Sequence, residues 1–111
     1  LLLQRVPSMF NTSWGREFIA WSPENYLPNY QGRVLFIIGD RDLQVHPELN
    51  IQGFQKLTEK YEPLQAKAIR FENLNHLLQT CKKCSIEEYG ELVETISPLV
   101  LDEIVTFLQS K

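Results

Sequence analysis

The run VLFII at 34–38 limits the folds open to this chain more than any other stretch. It is too short for a helix, mostly β-branched or aromatic, and does not alternate, so the pattern predicts a strand buried on both faces. Gly39 ends the run and lets the chain turn sharply. Asp40 and Asp42 follow just past the strand's carboxyl end, where open α/β sheets place their chemistry. The chain downstream reads as a return from that point, bringing His76 to the same edge.

The elements around this strand follow from spacing. Pro47 opens a helix at a position that tolerates a missing N–H, and Leu49, Phe54 and Leu57, with Ile51 alongside, give it a partly apolar face up to about Tyr61, before Pro63. KAIRF at 67–71 is a second strand, more alternating and hence nearer a sheet edge. Strand, helix, strand in this order predicts a right-handed parallel crossover. Residues 72–98 form a long irregular segment whose apolar content argues against disorder; a loop of that length in a compact domain carries function when it is ordered. Ser97 caps a last helix, Pro98 is its first residue, and Leu101, Ile104, Val105 and Leu108 are its predicted buried stripe. Ahead of all this, Asn11, Thr12 and Ser13 offer N-cap chemistry for a short helix at 13–21, with Phe10 just before it. Trp14, Phe18 and Trp21 share one face of that helix, read here as packing.

Two strands and about two covering helices make a marginal sheet, so the fold class is α/β and the chain looks like the last part of a larger sheet. The chain opens at Leu1 with its first methionine at Met9, which points the same way. The charge is −3 over 111 residues with both signs mixed, which speaks against nucleic acid as a partner, and no apolar run is long enough to span a bilayer.

GDRDLQVHPELN at 39–50, then FENLNHLLQ at 71–79, EYGELVETISP at 88–98 and a terminal helix, resembles the carboxy-terminal half of an α/β-hydrolase. Among these it resembles the bacterial esterases and dienelactone-hydrolase or serine-aminopeptidase-like proteins, where a G-x-x-D-x-Q-V acid loop precedes an L-N-H-L-F-Q histidine loop. The resemblance implies the last parallel strands, crossover helix and terminal helix of that fold over 32–111, with 1–31 as a cap-to-core connection. It places the triad acid on Asp42 and the general base on His76, with Asp40 the second-choice acid, read as a surface turn residue. In that chemistry a carboxylate holds the imidazole in one tautomer, and the imidazole takes the proton of a serine. Asn75 and Gln79 flank the histidine and orient its loop, while Gln44 and Val45 shape the acid loop; His46 is a solvent-facing helix-start residue.

The nucleophile is missing. None of Ser8, Ser13, Ser22, Ser85, Ser97 and Ser110 lies in G-x-S-x-G, and the oxyanion donors of the family would also lie upstream. The resemblance therefore implies a fragment carrying two members of a triad, inactive alone. Its substrate when complete is a small-molecule ester or related acyl compound. Its partner is the missing amino-terminal half or a second copy of itself. It calls for no cofactor. The competing reading is a non-catalytic remnant or small interaction module. Cys81 and Cys84, a single C-x-x-C, form with His46 and His76 a formal zinc-type ligand set; otherwise they are plain loop cysteines, reduced or bridged.

Overall fold

The computed structural model describes residues 12–61 and 65–110. Ser8, Phe10, Asn11 and Pro63, named above, lie outside the described residues. The chain divides into two compact units, Leu1–Tyr30 and Gln31–Lys111.

In the first unit, helix α1 (Ser13–Ala20) starts where the Thr12 hydroxyl accepts from the Gly15 N–H at 3.0 Å. Ser22 then caps a short 3-10 turn at Pro23–Asn25, and a second turn follows at Leu27–Asn29. The aromatic stripe does not pack as predicted, since Trp14, Phe18 and Trp21 are all more than 60% exposed. An eight-residue helix offers about two turns, and its rings find cover mainly in one another. Trp14 stacks on Phe18 at 5.2 Å and Trp21 on Tyr26 at 6.4 Å.

The second unit is mixed α/β, ordered β1 (Arg33–Gly39), α2 (Pro47–Lys60), β2 (Gln65–Phe71) and α3 (Pro98–Gln109). The strands pair in parallel from Arg33 opposite Gln65 to Gly39 opposite Phe71, as the crossover pattern requires. Alternation then assigns a helix to each face. On one face Phe36 stacks on Phe54 of α2 at 5.0 Å, and Arg70 reaches Glu48 of α2 at 3.2 Å. On the other, Lys67 pairs with Glu103 of α3 at 2.6 Å, and the Arg33 guanidinium lies 4.6 Å over the Phe107 ring.

Two predicted burials are corrected. Residues 33–37 of β1 are half-buried, and only Ile38 and Gly39 at the strand's end are buried. The cause is the two-stranded sheet, in which β1 has a neighbour along one edge only among the described residues. In α3 the inward residues are Val100, fully buried, with Ile104 and Phe107 half-buried, while Leu101, Val105 and Leu108 are 46%, 50% and 68% exposed. LVLDEIVTFL is apolar along two adjacent stripes, and the Glu103 and Phe107 contacts select the stripe that faces the sheet. The buried centre therefore lies beyond the strands' carboxyl ends. Ile38, Leu74, Cys84 and Val100 meet there with the polar Asp42, Asn75, Gln79, Glu88 and Ser97.

Candidate active site

Two loops build the site, and they cross at Gly39. A Cβ there would collide with the Leu74 carbonyl oxygen and lie 2.7 Å from the Leu74 carbonyl carbon and 2.8 Å from the Asn75 carbonyl oxygen. Gly39 has no positive φ, so it is required by this close approach of backbone rather than by the sharp turn predicted for it. Three bonds lace the loops on either side of the crossing. The Asp40 N–H donates to the Phe71 carbonyl at 2.8 Å, the Arg41 N–H to the Leu74 carbonyl at 3.0 Å, and the Asn73 N–H to Asp40 Oδ1 at 2.6 Å. Asp40 is thus a tie between the loops rather than a plain surface residue, and among the described residues the hydrogen-bond partner of His76 is Asp42 instead.

Asp42 is buried, with its side chain 4% exposed. Its Oδ1 accepts from the N–H groups of Gln44 at 2.8 Å and Val45 at 2.9 Å, an Asx-type turn that fixes the carboxylate plane. Its Oδ2 lies 2.8 Å from His76 Nδ1. Burial pushes the Asp42 carboxyl up, but the Val45 N–H, the His76 ring and the Gln44 N–H together outweigh it and hold the acid below its ordinary value. With Asp42 ionised and accepting, Nδ1 carries a proton toward Oδ2, and in the neutral ring that leaves the lone pair on Nε2. Nε2 has no hydrogen-bond partner among the described residues, and about a third of the His76 side chain is open.

The histidine sits at the tip of a loop closed by an antiparallel bridge between Leu74 and Thr80. Asn75, fully buried, fills it: Oδ1 accepts from the N–H groups of Leu77 at 2.9 Å and Gln79 at 3.0 Å, and Nδ2 donates to Gln79 Oε1 at 2.9 Å. Gln79 Nε2 in turn donates to the Glu94 carbonyl at 2.8 Å. Asn73 and Leu78 each take φ of 60°, a conformation costly for leucine and tolerated where the surroundings over-determine it; the Asn73 N–H is held by Asp40 and the Leu78 N–H by the Asn75 carbonyl at 3.0 Å. Ser97 occupies the cap position of α3 but makes no side-chain cap bond; its N–H donates to the Leu78 carbonyl at 2.8 Å, tying the helix start to the histidine loop. An open depression of about 190 Å³ beside the pair is lined by Phe36, Ile38, Val45 and Leu78 together with Asp42 and His76.

The remaining candidates fall elsewhere. His46 caps α2, its Nδ1 accepting from the Leu49 N–H at 3.4 Å. Cys81 and Cys84 form a disulfide, so the cysteines are bridged. The four-member cysteine–histidine set does not assemble. Among the described residues the ligand-type side chains that do cluster with the cysteines belong to Glu88, within 4.8 Å, and neither histidine joins them. Both sulfurs are committed to each other, and the Glu88 carboxylate is filled by the N–H groups of Lys83 at 2.9 Å, Cys84 at 2.6 Å and Lys82 at 3.2 Å. Burial pushes Glu88 up, and these N–H bonds outweigh it, leaving the carboxyl below its ordinary value. The reading of the sequence gave Glu88 and Tyr89 no role; the signal available was an acid one turn beyond a C-x-x-C, whose consecutive N–H groups need an acceptor.

Comparison with protein-family models, curated proteins and solved structures returned no match to this chain.

Proposed function

We propose that this chain is the carboxy-terminal part of an α/β-hydrolase which, when complete, cleaves carboxylic esters or a related acyl bond through an acyl-serine intermediate. One observation carries the reading: a buried, ionised Asp42 engages Nδ1 of a His76 whose side chain is about a third open, and no described residue takes Nε2. That is the arrangement a serine hydrolase requires of its acid and base. His76 would take the serine proton through Nε2 and return it to the leaving alcohol, while Asp42 holds the tautomer and stabilises the imidazolium. The serine, its G-x-S-x-G turn and the oxyanion donors come from the amino-terminal half. The edge of β1 that no described strand pairs would take the next strand of that half, and the depression beside His76 is the space its nucleophile would approach.

The test is to express the reading frame upstream of Leu1 joined to this chain and assay it with a p-nitrophenyl ester. An in-frame G-x-S-x-G and ester hydrolysis are expected. His76→Ala should then lower kcat by about 10³-fold or more with the circular dichroism spectrum unchanged. Turnover that survives His76→Ala would remove the histidine from the mechanism. A frame without a nucleophile motif would leave the pair as a structural ion pair in a non-catalytic module.

A further inference from the structure

The far side of the acid loop is poorly held by apolar contact. Leu43 is 68% exposed and Val45 36%. Yet these are the residues around the two N–H groups that aim Asp42. Among the described residues, one hydrogen bond beyond Asp42 itself fastens 43–45 to the rest of the unit: Gln44 Nε2 donates to the Tyr89 phenol oxygen at 2.8 Å. The Tyr89 carbonyl also receives Gln79 Nε2 of the histidine loop, at 3.4 Å beside the shorter bond to Glu94. One residue therefore touches both loops.

Tyr89 itself stands on a rigid base. It ends the 3-10 turn Ile86–Glu88, and the preceding Glu88 carboxylate is clasped by three consecutive N–H groups of the disulfide-closed turn. That turn is anchored in its own right, because the Cys81 N–H donates to the Asn73 carbonyl at 3.1 Å. Asn73 is the residue Asp40 holds. The contacts close a ring through Asp40, Asn73, Cys81, Glu88, Tyr89 and Gln44 back to Asp42, which holds His76.

We propose that Tyr89 is a positioning residue for the Asp42–His76 pair, gripping the acid loop by its phenol oxygen and the histidine loop by its carbonyl, with Glu88 setting where Tyr89 stands. The inference rests on the catalytic reading of the pair, but its readout needs no nucleophile. It can therefore fail while that reading survives, and the reverse.

The experiment is solution NMR on the full 111-residue chain, comparing the parent with Tyr89→Phe, which deletes the oxygen and keeps ring and carbonyl. Two signals are followed: exchange of the Gln44 and Val45 amide protons, and the ring nitrogens of His76, with His46 as internal reference. Tyr89→Phe should speed the two amides about five-fold, as losing one ordinary hydrogen bond does, and broaden or shift the His76 Nδ1–H signal, with the Ile37 and Ile38 amides unchanged. Glu88→Gln should move the same signals in the same direction. Unchanged Gln44, Val45 and His76 signals in Tyr89→Phe overturn the proposal. So does loss of the Ile37 and Ile38 amides along with them, which would make Tyr89 a general structural residue.

Discussion

Single residues set the geometry at the loop crossing, and two glycines show the contrast. Gly39→Ala drives a methyl into the Leu74 and Asn75 backbone, which cannot yield as a flexible side chain could. It should destabilise the chain by about 3 kcal/mol, read as a drop in the urea midpoint, and part His76 from Asp42. Gly53, inside α2, has nothing within 4 Å of a Cβ. Gly53→Ala should therefore stabilise by about 0.5–1 kcal/mol in the same assay, by removing the helix cost of glycine. Asp42 governs the acid limb. Its folded-state pKa is depressed from the ordinary 3.8, so its contribution is fully present above that value and is lost as pH falls through the lower folded-state value. Glu88 shifts in the same direction and adds to the limb. Unfolding midpoints measured from pH 6 to pH 2 should fall less steeply in Asp42→Asn than in the parent.

At the scale of elements, period and punctuation carried most of the outline. The parallel pair, the Pro47 and Pro98 helix starts and the irregular 72–98 segment all stand in the structure. Burial was less legible, because it depends on what lies opposite. An apolar run such as VLFII reads as buried on both faces whether or not a second neighbouring strand is present, and here it is half-buried. The α3 sequence is apolar along two stripes, so periodicity could not choose between Val100–Ile104–Phe107 and Leu101–Val105–Leu108. The sheet pattern brought His76 to the edge where Asp42 sits, but naming the two as a pair took the family resemblance, since 34 residues separate them. The Tyr89 contacts were not legible at all: they join three irregular segments, where neither periodicity nor a turn signal applies. The disulfide belongs at this scale too. It closes a turn of only four residues, so replacing both cysteines by serine should cost about 2 kcal/mol or less in the urea midpoint.

For the whole molecule, the sheet is the thin part and the loops are the dense part. Among the described residues β1 is open along one edge, α3 shows a second apolar stripe, and the fully buried residues sit under the loops. A two-stranded sheet of this kind should unfold broadly when the chain is heated alone. On the proposed hydrolase reading, an amino-terminal half supplied in trans should raise and sharpen the transition with the logarithm of its concentration, as a ligand of the folded state does. The loops behave differently. Among the described residues, the bonds that orient His76 and Asp42 begin and end between Gly39 and Ser97, so on the proposed hydrolase reading the pair can take its final shape before any further strand joins the sheet. On that same reading, a nucleophile made in one chain with this pair would leave the ribosome first and wait for its base. In one split into two chains, the base half would come to the encounter already set, and association would need only to bring the serine to Nε2.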